Sequence, residues 1–174
     1  MIPLTLFGKT MTPVFLDIDG VLQHTGSVVS RGQNFLSHSI NPDRLVDCAC
    51  PQSLALLLQL QARIPDIRWY IASSWCNTLH SERDSESLSR IFRSMGFLDV
   101  HLARRSRDRV ERVEMELDAI GHSGPFVVID DNPVFADSSL HENYVPVDSR
   151  CGFDFVAYEH ACELLGLEAE RVLW

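Results

Sequence analysis

The sequence has little lysine, no paired-cysteine motif and no long hydrophobic run. Lys9 is the only lysine among 15 basic residues, so arginine supplies almost all of the positive charge. The five cysteines include no C-x-x-C pair, which argues against a zinc knuckle or a disulfide framework and favours reduced thiols. No apolar run has the length of a membrane span, and the first residues lack the pattern of a signal peptide. We therefore expect a cytoplasmic protein that binds no membrane.

Charge and length limit the class of protein further. A formal net charge of -9 disfavours nonspecific binding of the whole surface to nucleic acid, although a local basic patch could still bind it. With 174 residues, of which 45% are hydrophobic, the chain can bury one core without disulfides or a structural metal. We expect one domain over residues 1–174, with residues 1–12 as an N-terminal extension.

Short apolar runs alternate with longer segments of helical period, which predicts an α/β fold with a parallel sheet flanked by helices. The predicted strands are residues 13–18, 67–72, 97–102, 126–129 and 144–147. The predicted helices are residues 52–62, 81–95, 108–120 and 154–165. Gly96 and Gly121 follow the second and third of these helices, and Asp154 is a candidate N-cap of the last. Residues 23–47 are long for a connection between a strand and a helix, so we expect a flap or minimal cap there.

Pairs of polar residues follow three of the predicted strands. They are Asp17 and Asp19 in DIDGVL, Ser73 and Ser74 in YIASSW, and Asp130 and Asp131 in VVIDDNP. The arginine-rich run ARRSRDR follows a fourth strand and opens a helix. Each motif alone is explained by a turn, a helix cap or a solvated charged face. Because ligands of open parallel sheets bind at the carboxyl ends of the strands, the four motifs together indicate a functional site.

The paired aspartates favour a divalent cation. Asp17 and Asp19 are two residues apart on a predicted strand, so both point to the same side of the chain. A calcium loop is not supported, because the further oxygen ligands and the downstream glutamate of such a loop are missing. None of the seven histidines forms a zinc signature, although His24 in the predicted flap could contact a substrate. Asp148, after the fifth strand, is a candidate for lining the same pocket.

These motifs resemble the four motifs of the haloacid dehalogenase (HAD) superfamily of magnesium-dependent phosphatases, from Pro13 to about Gly152. DIDGVL looks like the first motif, YIASSW looks like the second, and VVIDDNP looks like the fourth. An arginine near the start of the helix predicted at residues 108–120 would correspond to the third motif. The SSW sequence, the short inserts and the double aspartate are most similar to the small HAD domains of RNA-repair fusions. The resemblance implies a three-layer Rossmann-like fold with a short flap and no large cap.

The resemblance also implies roles for the aspartates. Asp17 would be the nucleophile that forms an aspartyl-phosphate, and Asp19 the general acid for the leaving alcohol and then the general base for water. Asp17, the backbone carbonyl of Asp19 and Asp131 would bind Mg²⁺, with Asp130 as a further ligand or a neighbour of the ligands.

The same resemblance implies which groups would bind the phosphate. Ser73 would donate a hydrogen bond to the transferring phosphoryl group, with Ser74 as the alternative. The third-motif cation is usually lysine in this superfamily, but Lys9 precedes the first strand and is badly placed. Arg109 is therefore the first candidate and Arg107 the second.

The function implied is hydrolysis of phosphomonoesters with Mg²⁺ as cofactor. The substrate class stays open among a small phosphorylated molecule, a nucleic-acid end and a phosphoprotein. A metal-binding regulatory domain with little catalysis is the alternative, because arginine is larger and forked where lysine is usual. A dinucleotide-binding protein is not supported, since no G-x-G-x-x-G follows the first strand.

Overall fold

A five-stranded parallel sheet forms the centre of the computed structural model, which describes residues 11–30, 42–79 and 81–168. The strands are β1 (Thr12–Leu16), β2 (Ile67–Ile71), β3 (Val100–Leu102), β4 (Val127–Asp130) and β5 (Tyr144–Pro146). Their order in the sheet is β3-β2-β1-β4-β5, and every neighbouring pair is parallel. This open sheet with helices packed against it confirms the predicted α/β, three-layer Rossmann-like fold.

The described ranges contain seven helices and two short 3-10 helices, of which all but the last helix connect strands. The helices are α1 (Thr25–Ser30), α2 (Pro42–Cys48), α3 (Pro51–Arg63), α4 (Trp75–Thr78), α5 (Glu82–Ser94), α6 (Arg109–Ile120) and α7 (Phe155–Leu164). The four predicted helices correspond to α3, α5, α6 and α7. Asp108 and Asp154 accept backbone N–H groups at the starts of α6 and α7, and Gly121 ends α6 in a left-handed conformation with φ 59°.

The third strand is shorter than predicted. Gly96 and Asp99 have φ values of 101° and 44°, so the chain from Phe97 to Asp99 is not extended and β3 begins at Val100. Phe97 is nevertheless buried, with its ring centroid 5.0 Å from that of Trp69. Its apolar character therefore reflects packing in the core and not pairing in the sheet.

The connection after β1 contains two short helices that sequence periodicity did not indicate. Helices α1 and α2 flank residues 31–41, which lie outside the described residues together with residues 1–10. The flap or cap expected over residues 23–47 stays a prediction for that central part. Thr12 belongs to β1, so the proposed N-terminal extension ends before it.

The sheet buries a separate apolar cluster on each face. One cluster joins the sheet to α3, α5 and α7, with Leu57 and Phe92 among its fully buried members. The other joins Phe15 and Tyr70 to Val113 of α6. Helix α6 is thus fixed against the face opposite α3, with its first residue close to the carboxyl ends of the strands. Within the described ranges, no helix combines the length and apolar character needed to cross a bilayer.

Replacement of Leu57 by alanine tests the packing of α3. Leu57 is fully buried, so we expect Leu57→Ala to lower the free energy of unfolding by about 2–5 kcal/mol in urea titrations. Leu98→Ala is the matched control, because Leu98 is 63% exposed and its loss should change stability by less than about 0.5 kcal/mol. Equal losses in the two variants would contradict the described core.

Candidate active site

Three aspartates meet at the carboxyl ends of β1 and β4. Asp17, Asp130 and Asp131 each offer a carboxylate oxygen, and these three oxygens lie within 4.8 Å of one another. The parallel pairing of Leu16 with Ile129 places the ends of the two strands side by side, and the Asp17 N–H donates to the Ile129 carbonyl at 3.0 Å. Asp17 and Asp130 are each only 1% exposed. The sheet register therefore concentrates negative charge at one point.

Within the described ranges, Arg109 is the cation that contacts this cluster. Its Nη1 lies 2.7 Å from Asp17 Oδ2 and 2.7 Å from Asp130 Oδ2. Burial alone would lower the pKa of Arg109, but the charges of Asp17 and Asp130 outweigh it and raise that pKa. Because Arg109 is the first residue of α6, the capping carboxylate of Asp108 fixes the point from which its side chain extends.

The arginine does not neutralise all three carboxylates. Burial raises the pKa of Asp130 to about 7, and the charge of Asp17 adds to the effect. Burial and the same charge raise the pKa of Asp131, while burial raises the pKa of Asp17 despite Arg109. Asp17 Oδ1 is buried and has no hydrogen-bond partner among the described residues. Carboxylate oxygens with uncompensated charge are the ligands that Mg²⁺ prefers, so the donor set fits this ion.

Gly20 is required for the close approach of Asp131. The residue has φ 83°, and a Cβ atom built there would lie 2.3 Å from Asp131 Oδ2. A side chain at this position would be strained and would displace the carboxylate. The glycine of the DIDGVL motif thus allows the fourth motif to pack against the turn after β1.

Asp19 is held by two donors, Trp75 and Gln23, whose contacts with it no sequence pattern indicates. Trp75 Nε1 donates to Asp19 Oδ2 at 2.8 Å, and the side-chain amide of Gln23 donates to Oδ1. The carboxylate of Asp19 is not part of the three-aspartate cluster, and the predicted metal ligand at this residue was its backbone carbonyl. The only sequence signal for Trp75 was its place directly after the serine pair.

The structure separates the paired candidates for phosphate binding. Ser73 is fully buried, and its hydroxyl offsets part of the rise that burial causes in the pKa of Asp17. Ser74 is exposed and occupies the N-cap position of α4 without a capping bond from its side chain. Arg107 is exposed and makes no hydrogen bond with the three carboxylates, in contrast to Arg109. The geometry therefore brings Ser73 and Arg109 to Asp17.

An open cleft of about 390 Å³ gives access to the site. Asp19, Arg109 and Asp131 line it, and Thr25 and Ser149 form part of its rim.

Two further candidates from the sequence lie next to this rim and do not line the cleft. The neighbour of Thr25 is His24, whose Nδ1 is buried and has no hydrogen-bond partner in the described ranges. The neighbour of Ser149 is Asp148, which instead pairs with Arg150 at 2.6 Å. The expected contact of these two side chains with a substrate stays a prediction.

The raised pKa of Asp130 predicts that the metal-free protein loses stability as pH rises. Between the ordinary pKa of 3.8 and the folded value of about 7, the folded state keeps a proton that the unfolded state has released. The free energy of unfolding therefore falls with rising pH across this window. Mg²⁺ favours ionised ligands, so it should raise Tm more at about pH 8 than at about pH 5.

Thermal melts followed by circular dichroism, with EDTA and with Mg²⁺, measure both effects. Asp130→Asn is the control, because it should flatten the pH dependence and reduce the effect of Mg²⁺. Two results would contradict an excess of negative charge among the three aspartates. One is a Tm that rises with pH in EDTA, and the other is a wild type whose Tm does not respond to Mg²⁺ at either pH.

Comparison with known proteins agrees with this geometry. Residues 13–155 match the family model described as the HAD domain in Swiss Army Knife RNA repair proteins. No curated protein and no solved structure is significantly similar to the chain. The match covers most of the chain and contains all the motifs at the strand ends, which confirms the resemblance found in the sequence. The protein therefore belongs to the family of HAD domains of Swiss Army Knife RNA repair proteins.

Proposed function

We propose that the protein is a magnesium-dependent phosphomonoesterase that works through an aspartyl-phosphate on Asp17. The observation that carries the proposal is the state of the Asp17 carboxylate. Its Oδ2 is held by Arg109 at 2.7 Å, whereas its buried Oδ1 has no hydrogen-bond partner among the described residues. A carboxylate that is fixed by one oxygen and unpartnered at the other is suited to attack phosphorus or to bind a cation.

Asp17, Asp130 and Asp131 are the residues that would hold Mg²⁺. When bound, the ion supplies positive charge that offsets the repulsion between these carboxylates and an anionic phosphate. Arg109 contributes a second positive charge from the start of α6. Its forked guanidinium can hold Asp17 and Asp130 while offering further N–H groups to phosphoryl oxygens.

The proposed chemistry proceeds in two steps. A carboxylate oxygen of Asp17 forms a bond to phosphorus while the bond from phosphorus to the ester oxygen breaks, and protonated Asp19 gives its proton to that leaving oxygen. Water then attacks the phosphorus of the aspartyl-phosphate, Asp19 accepts the proton of water, and the carboxylate of Asp17 and inorganic phosphate are released. Trp75 and Gln23 would hold Asp19 in place for both proton transfers.

The family description names RNA repair, which makes the phosphorylated end of a nucleic acid the first substrate to test. The open cleft of about 390 Å³ favours a substrate whose bulk stays outside the site. Small phosphorylated molecules and phosphopeptides complete the panel.

A metal-binding regulatory domain is the second candidate function. The observation in its favour is that Nη1 of Arg109 bonds both Asp17 and Asp130, which ties the proposed nucleophile to a second carboxylate. Binding of Mg²⁺ without turnover of any member of the panel would favour this function. Formation of a stable complex with beryllium fluoride, a mimic of an aspartyl-phosphate, would count against it.

Asp17→Asn tests the nucleophile. The amide cannot form an acyl phosphate, so we expect turnover of phosphomonoesters to fall by about 10³-fold or more. Asp118→Asn is the matched control, because Asp118 is an exposed residue of α6 and its replacement should leave turnover unchanged. Normal turnover in Asp17→Asn would exclude Asp17 as nucleophile.

Asp19→Asn tests the proton transfer to the leaving group. Turnover of an alkyl phosphate, whose leaving oxygen needs a proton, should fall by about 10²-fold or more. Single-turnover cleavage of p-nitrophenyl phosphate should fall much less, because its leaving group departs without a proton. Equal losses with the two substrates would mean that Asp19 does not act as the acid.

A further inference from the structure

Helix α6 turns a charged stripe towards the interior of the protein. Arg109, Arg112 and Glu116 are three and four residues apart, so they share one face of the helix. Arg112 is only 1% exposed, and Glu116 is 7% exposed. Glu116 accepts the backbone N–H of Arg104 at 2.7 Å. A buried guanidinium is costly unless its N–H groups are satisfied, so the partners of Arg112 define what it does.

Arg112 joins two loops of the site through neutral oxygens. Its Nη1 donates to the carbonyls of Ala72 and Ser73 at 2.7 Å and 2.8 Å. Its Nη2 donates to Asn77 Oδ1 at 3.1 Å and to the carbonyl of Ser106. None of these four acceptors is a carboxylate, so Arg112 forms no ion pair within the described ranges. The side chain therefore does not neutralise an acid but fixes the loop after β2 to the loop before α6.

These contacts determine which way two peptide units face. The described chain contains no cis peptide bond, and in a trans peptide the carbonyl and the N–H point in opposite directions. Because the carbonyls of Ala72 and Ser73 point to Arg112, the N–H groups of Ser73 and Ser74 point away from it. Neither N–H donates a hydrogen bond to a backbone carbonyl of a described residue.

Two successive N–H groups that face no carbonyl form a site that suits an anion. The Ser73 N–H faces the thiol of Cys76, which is a weak acceptor and leaves the donor able to bind an anion. The Ala72 N–H donates to the Leu16 carbonyl at 2.9 Å, which places this pair of donors beside Asp17, the proposed nucleophile.

We propose that Arg112 is a positioning residue that turns the N–H groups of Ser73 and Ser74 to the transferring phosphoryl group. The proposal rests on the proposed function, because it needs a phosphoryl group at Asp17. Arg112 touches neither the phosphate nor the three carboxylates and acts only through the peptide units that it holds. Donors fixed in advance at the phosphoryl oxygens stabilise the charge that develops there.

Arg112→Lys tests this role, because one ammonium cannot reproduce a fork that holds several carbonyls at once. We expect kcat for a phosphomonoester to fall by about 10-fold to 100-fold. The Kd for Mg²⁺, measured by calorimetry, should stay unchanged, because its ligands lie at the ends of β1 and β4. Arg105→Lys is the matched control at an exposed arginine and should leave both quantities unchanged.

Leu57→Ala controls for general loss of stability, since it weakens the core on the other face of the sheet. An unchanged kcat in folded Arg112→Lys would overturn the proposal. The proposal would also be overturned if Leu57→Ala, at a Tm equal to that of Arg112→Lys, lost as much kcat as Arg112→Lys does.

A second measurement needs no variant. Inorganic phosphate is added to the ¹⁵N-labelled wild type with Mg²⁺, and the amide resonances of Ser73 and Ser74 are expected to shift as hydrogen bonds form. Turnover in the wild type without a shift at either amide overturns the role of Arg112 alone. Absence of both turnover and phosphate binding overturns the proposed function, and the positioning role with it.

Discussion

The repulsion among three aspartates at one edge of the sheet is the constraint on which the rest of the site depends. Asp17 and Asp130 are almost completely buried, and their charges are met by one guanidinium, that of Arg109. Burial is the first cause of the raised pKa values of the three aspartates, and the charge of Asp17 adds to it at Asp130 and Asp131. A divalent cation would relieve the repulsion, and a phosphate could then approach Asp17, the proposed nucleophile, whose own charge would no longer repel it.

The fold produces this concentration of charge by ordinary means. Parallel pairing of β1 with β4 places the two strand ends side by side, and left-handed Gly20 leaves room for Asp131. Helix α6 then supplies Arg109 and Arg112 from one face. Arg109 contacts the carboxylates, and Arg112, one turn later, holds the loop that carries Ser73. A single helix thus joins the charge of the site to the position of the loop after β2.

Residues with a local signal could be predicted from the sequence, and residues defined by distant contacts could not. Asp17 and Asp130 follow apolar runs of strand length, and Arg109 opens a helix with a capping aspartate. The apolar pattern and the direction of the chain therefore place all three residues at the carboxyl ends of the strands. Trp75 reaches Asp19 across 56 residues, and Arg112 reaches Ala72 across 40. No periodicity encodes such contacts. The third strand was predicted too long for a related reason, since Phe97 packs in the core without pairing in the sheet.

A crystal structure of the protein with Mn²⁺, which reports its own position by anomalous scattering, tests the central claim most directly. We expect one strong anomalous peak, from an ion coordinated by Asp17 together with Asp130 or Asp131. A well-ordered site without a peak at saturating Mn²⁺, or an ion bound only away from these carboxylates, would mean that the three aspartates do not form a metal site.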